Sequence, residues 1–170
     1  MDLDLFRVSL FEMIGVISNM MLAYGVLFFY MFSRKRERRE RVEYATRYIQ
    51  RWNDPSLFHT MARIFNTRNI HFLRSIDEKS YESFRVEHKE GFDDVITILN
   101  FMEEVAQAVE SGLADEHTLR KYFEHSLTET YSILEHFIWL TREQKFNVSA
   151  YRSTERLIGS WSFSERLEAS

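Results

Sequence analysis

From Met13 to Phe32 the chain runs for twenty residues without a charge, and the nine residues that follow carry six arginines or lysines. No other feature restricts the fold as strongly. As an α-helix rising about 1.5 Å per residue, the run reaches about 30 Å, the thickness of a bilayer's hydrocarbon core. The sequence therefore predicts an amino-terminal transmembrane helix. A cleaved signal peptide would need a basic amino-terminal region, a shorter apolar core and a small-residue cleavage site. Here Asp2, Asp4 and Glu12 outweigh Arg7, and Phe32-Ser33-Arg34 is a poor cleavage site. A buried core helix rarely stays uncharged for so long.

Arg34, Lys35, Arg36, Arg38, Arg39 and Arg41 form the juxtamembrane excess that is retained on the cytoplasmic side. This predicts a single-pass protein of the inner membrane, with its amino terminus outside and its carboxyl-terminal body in the cytosol. Phe28, Phe29 and Tyr30 suit the inner interfacial belt, where the arginines meet anionic headgroups. The block reads as anchoring and topology rather than as a nucleotide site, since every positive-inside anchor carries one. Net charge divides as −2 over residues 1–32, +5 over 33–51 and −7 over 52–170. So acidic a body argues against general nucleic-acid binding. Within the span, Glu12, Gly15, Asn19 and Ala23 recur at spacings of three and four, on one stripe of a helix. Small and polar residues so placed let helices approach in lipid, which predicts a homo-oligomer held by ordinary helix packing rather than a pore.

One proline and five glycines favour long helices over a turn-rich β chain, so the fold class reads as all-α. Three regions follow: a tail and transmembrane helix over 1–33, a basic stalk helix over 34–54, and a cytosolic helical bundle over 55–170. The stalk shows an apolar face at Val42, Ala45, Tyr48, Ile49 and Trp52, and Asn53-Asp54-Pro55 ends it, with Asp54 able to cap the next helix. That helix presents Phe58, Met61, Ala62 and Phe65 and frays near 66–69. Residues 70–90 have no clear period, and 77–80 read as a connection. Phe92, Val95, Ile96, Leu99, Met102, Val105, Ala106 and Val109 give the strongest helical period, terminated by Ser111-Gly112. Asp115 suits the N-cap of a helix bearing Leu119, Tyr122, Phe123, Leu127, Ile133, Leu134 and Phe137, and Ser149 the start of a last one with Tyr151, Leu157, Ile158 and Trp161.

The sequence offers little chemistry. Without cysteine there is no thiolate nucleophile, disulfide or cysteine-bound zinc. The six histidines lack His-Glu-x-x-His and Glu-x-x-His spacings, so no metal site is expected. Neither a nucleophile elbow nor a phosphate-binding glycine loop occurs. Adjacent carboxylates such as Asp93 and Asp94 point about 100° apart on a helix and form no dyad by themselves. The expectation is a protein without catalytic residues or cofactor.

The stretches YATRYIQRWNDP (44–55), ILNFMEEVAQAVESGLADE (98–116) and AYRSTERLIGSW (150–161) resemble a bacterial family of short, membrane-tethered helical proteins grouped as a domain of unknown function. The likeness covers nearly the whole chain, and it departs at 66–90. It implies fold and topology and supplies no reaction. Among the shared positions, Arg51, Asn100, Glu103 and Glu104 stand beside apolar residues, and a buried guanidinium needs a carboxylate. Arg51 is expected to pair with Glu103 or Glu104, with Asn100 completing a polar network. The competing reading gathers Arg47, Arg51, Trp52 and Asn100 into a pocket for a small anion or nucleotide. The functional expectation is a membrane-anchored, non-enzymatic sensor or binding module whose partner is the lipid bilayer together with a cyclic nucleotide or a protein. Its sharper form resembles the membrane effectors of prokaryotic antiviral defence; the alternative is a scaffolding subunit without ligand.

Overall fold

The computed structural model describes residues 3–144 and 147–168, with the side-chain surroundings of all of these except 3–14, 16, 67 and 163–168. It contains α1 (Leu3–Trp52), α2 (Pro55–Ile64), α3 (Thr67–Arg74), α4 (Glu78–Glu87), α5 (Lys89–Glu110), α6 (Glu116–Gln144) and α7 (Arg152–Glu168), and no strand among the described residues. The protein is all-α. It divides into two compact units, residues 1–40 and 41–170.

In the first unit, α1 exposes every large apolar side chain described between Ile17 and Phe32. Among the described residues, no helix is long and apolar enough to cross a membrane. The uncharged run begins with Met13, Ile14 and Val16, which lie outside the residues whose side-chain surroundings are described, as does Glu12 of the small-residue stripe. Gly15, Asn19 and Ala23 are exposed.

The second unit begins at Arg41, so the last turns of α1 belong to the helical body. Ala45 is fully buried, and the Asp115 amide donates to the Arg41 carbonyl at 3.0 Å. The break after α1 has the expected cause: Asp54 accepts from the Ser56 amide at 2.9 Å, and Pro55 occupies the first helical position. In α2 the buried positions are Leu57 and Ile64, with Met61 half-buried between them. Phe58, expected in the core, is 62% exposed.

The expected fraying at 66–69 and the stretch 70–90, which lacks a clear period, instead hold two short helices before α5 begins at Lys89. Asn66 caps α3 by accepting from the Asn69 amide at 3.0 Å, and Asp77 caps α4 by accepting from the Ser80 amide at 2.8 Å. The expected connection at 77–80 is therefore a helix start. At 8 and 10 residues, α3 and α4 span only two or three turns, too few to display a period.

Helix α5 is the centre of the body and packs against α2, α4 and α7. These neighbours, with Trp52 of α1 and Phe123 of α6 against Phe101, require a broad apolar face, which is why Ile98, Phe101 and Ala108 are buried beside the expected Phe92, Val95, Leu99, Met102, Val105 and Ala106. Gly112 ends it at φ +67°, in the left-handed region that glycine enters without strain, and the Leu113 amide returns to the Ala108 carbonyl at 3.0 Å. Asp115 then caps α6 through the Thr118 amide at 2.9 Å. Two aromatic clusters fill the interior. One joins Trp52 to Phe101 and Phe123 at 5.2 and 5.4 Å between ring centres; the other joins Phe137 to Tyr81 and Phe92 at 5.1 and 5.4 Å.

Helix α7 starts at Arg152, three residues later than Ser149. Ser149 instead belongs to a turn in which its hydroxyl donates to Asn147 Oδ1 at 2.8 Å, and Tyr151 adopts φ +58°. A left-handed tyrosine costs about 1–2 kcal/mol, which the surrounding packing must offset. A carboxylate from another helix supplies the missing cap. Glu103 of α5 accepts from the Thr154 amide at 2.9 Å, its hydroxyl at 2.8 Å and the Ser153 amide at 3.3 Å. At the other end of the contact, Glu110 takes two bonds from Arg156, at 2.8 and 3.0 Å, and one from Ser153 at 2.8 Å. Replacing Glu103 by Ala strands two amides of α7 and is expected to cost about 1–3 kcal/mol, more than Glu104→Ala, in denaturant unfolding of the full chain. Equal effects from the two substitutions would show that α7 is held without this cap.

Candidate functional site

The polar positions of the shared motifs do not form one network. Arg51 pairs with Glu104 and lies over the Phe101 ring, 5.4 Å from its centre. Its side chain is 54% exposed, so this is not the buried guanidinium expected: the last turn of α1 leaves it facing water as well as α5. Pairs this exposed contribute about 0–1 kcal/mol. Glu103, about 100° further round α5, faces α7 and serves as its cap. Asn100 accepts a long hydrogen bond of 3.4 Å from the Tyr151 hydroxyl.

The alternative pocket does not assemble either. Arg47 pairs with Glu43 at 2.7 Å and covers the Tyr44 ring. Trp52 is 9% exposed and packed between Phe101 and Phe123, which leaves little of its ring for a ligand. The six basic residues from Arg34 to Arg41 are all exposed; Arg36 pairs with Glu40 at 2.9 Å, and Arg34 lies 4.9 Å above the Tyr30 ring.

Burial, reinforced by the neighbouring Tyr81 and Glu103, pushes the Tyr151 phenol from its ordinary 10.0 up to about 12. The folded state therefore holds its proton more tightly than the unfolded state does. Its contribution to stability is complete below pH 10 and is lost as pH rises through about 12. Tyr151→Phe cannot ionise, so the variant is expected to lose less stability than the wild type between these limits, as read from urea midpoints against pH. Parallel profiles would refute the assignment. The other raised tyrosines away from this contact, Tyr48 and Tyr131, titrate in both proteins and cancel in the comparison, whereas Tyr81 is coupled to Tyr151 and moves with it.

A concavity among the described residues lies elsewhere, in the stretch the sequence left unassigned. A cleft of about 770 Å³ opens between the α2–α3 connection and the α4–α5 elbow, with lining residues drawn from 63 to 95. Ile64, Leu73 and Val95 give it an apolar floor, and the rings of Phe72 and Phe84 meet edge to face at 5.3 Å on one wall. Arg63 closes one side by binding both oxygens of Asp94 at 2.8 Å, tying α2 to α5. Asn66 and Asn69 each donate to the Arg63 carbonyl at 2.8 Å, which shapes the turn into α3. Gly91 permits the close approach of Phe84: a Cβ there would lie 3.2 Å from the ring's Cε2. Arg68, Lys89, Glu87 and Glu90 supply the remaining charges. Sequence reasoning missed this cleft because its walls come from short helices; the Asn66 and Asp77 caps were the available signals.

Among the described residues, no cluster of three His, Asp or Glu could hold a metal ion. His125 lies 3.8 Å from Glu129, and His136 stacks on Trp139. The arrangement offers a binding concavity.

No curated protein and no solved structure matches the chain. A family model does match, over residues 11–161, and so takes in the uncharged run from Met13, the basic block, the cleft and α7 as far as Trp161. The chain belongs to the family described as Domain of unknown function (DUF4760).

Proposed function

We propose that this protein is a single-pass component of the inner membrane whose cytosolic helical body recognises a partner and which works as a homo-oligomer, without chemistry of its own. The band from Ile17 to Phe32 carries the reading. Its large apolar side chains are 46–78% exposed and include no charge. In water such a band far exceeds the few hundred Å² of apolar patch usual on a soluble monomer, whereas lipid covers it at no cost. Over the described residues alone the band falls short of a span; with Met13, Ile14 and Val16 the run reaches bilayer thickness. The adjacent basic block sets the orientation, and the stripe of Gly15, Asn19 and Ala23 gives a second copy a face to approach.

The nucleotide-sensing form of the idea lacks a cation cluster at the expected place, since Arg47 and Arg51 are each engaged by a glutamate. The 770 Å³ cleft favours recognition over a purely localising scaffold. Topology tests the reading cleanly because the chain has no cysteine of its own. In intact spheroplasts, a membrane-impermeant maleimide should label Asp4→Cys and spare His125→Cys, whose parent side chain is 94% exposed. Labelling at 125 without lysis, or release of the wild type by alkaline carbonate, overturns the proposal.

A further inference from the structure

The geometry points to the cleft between α2–α3 and α4–α5 as a docking site for a peptide segment of a partner protein, one presenting an apolar side chain between an acidic and a basic residue. This deepens the reading of the body as a recognition module. It does not depend on the bilayer anchor, because every lining residue falls between 63 and 95.

Charge balance selects the ligand class. Arg63 and Asp94 satisfy one another, while Arg68, Lys89, Glu87 and Glu90 form no ion pair among the described residues. With His88 neutral, the cationic and anionic lining cancels. A polyanion, such as a cyclic oligonucleotide, would meet as many carboxylates as cations and gain no net attraction. A wholly apolar ligand would strip water from four charges and return no partner to any of them. A ligand with one charge of each sign pairs with both kinds and leaves its apolar part for the floor at Ile64, Leu73 and Val95 and the Phe72–Phe84 wall.

Size narrows the class further. The volume of about 770 Å³ lies within the range of drug-sized ligands, and a free amino acid, although zwitterionic, is far smaller. A peptide segment supplies both charges, an apolar anchor and backbone N–H groups. The Asn69 side chain, fixed by its donated bond to the Arg63 carbonyl, keeps its own carbonyl oxygen for such a donor.

The test is a selection of phage-displayed random heptapeptides on the full chain in nanodiscs, counter-selected on empty nanodiscs. Survivors are expected to carry a large apolar residue flanked by one acid and one base. Arg68→Glu combined with Lys89→Glu should weaken the selected peptides about tenfold and shift a fresh selection toward net basic sequences. Glu87→Lys combined with Glu90→Lys should shift it toward net acidic ones. All four parent side chains are exposed, so circular dichroism should show both variants folded, and either one alone suffices as the reporter. Predominantly acidic survivors on the wild type, or unchanged affinity in both variants, overturn the cleft while leaving the module reading intact. Failure to enrich any peptide over empty nanodiscs overturns both.

Discussion

Phe137→Ala is expected to lower the unfolding free energy of the body by about 3–5 kcal/mol, the range for emptying a buried aromatic site. Phe137 has no exposed surface, and its ring contacts Tyr81, Phe92 and Phe84 at centre distances of 5.1, 5.4 and 6.5 Å. These rings come from two helices, Tyr81 and Phe84 from α4 and Phe92 from α5, so the cavity cannot collapse by a shift of one side chain. A polar element rests on the same spot. Thr141 donates its hydroxyl proton to the Phe137 carbonyl at 2.8 Å, so the buried Tyr81 hydroxyl donates in turn to Thr141 Oγ1 at 3.1 Å. Loosening α6 there threatens a buried tyrosine hydroxyl as well as a packing contact. Phe137→Leu keeps most of the volume and should cost less than about 1.5 kcal/mol. Fluorescence of the buried Trp52 and Trp161 follows denaturant unfolding of the full chain in detergent. An alanine variant within 1 kcal/mol of the wild type would mean that this cluster is not part of the core.

How much of this the sequence discloses depends on how far apart cause and effect lie along the chain. Local signals are legible: Asp54-Pro55, Ser111-Gly112 and Asp115 each act on backbone groups within a few residues, and the structure uses all three. Helix α5 is legible because 22 residues repeat a period six times. Partner choice is not. Glu103 and Glu104 are adjacent, chemically identical and both suited to Arg51. Only the packing of α7 on one side of α5 and α1 on the other assigns the former to Thr154 and the latter to Arg51. The start of α7 is hidden for the same reason, since its cap resides some fifty residues upstream and a left-handed Tyr151 has no marker in the sequence. The cleft is hidden because its floor takes single residues from α2, α3 and α5, none conspicuous alone.

Leu22→Arg is expected to abolish stable membrane association, the largest functional effect of any single change here. Leu22 stands at the middle of the uncharged run and is 68% exposed, so arginine there meets no protein partner in the described structure. An arginine at the centre of a spanning helix costs about 2.5–3.5 kcal/mol on insertion scales, and the lost leucine adds about 0.5. The run has little reserve against such a loss. Ser18, Asn19, Tyr24, Gly25 and Tyr30 already dilute it. Phe32→Arg makes the same chemical change beside the basic block, where a long side chain reaches the headgroups, and should leave membrane association intact. Position therefore matters more than composition, and the pair separates a span from a surface-bound helix. For a helix lying flat in the interface, Leu22 and Phe32 stand about 80° apart on the surface and neither lies at a bilayer centre, so no large excess of Leu22→Arg over Phe32→Arg is expected. Sedimentation of washed membranes with and without detergent reads both variants. Retention of the Leu22→Arg chain in carbonate-washed membranes would remove the bilayer from the account of this protein, and the exposed band on α1 would then need a protein partner to cover it.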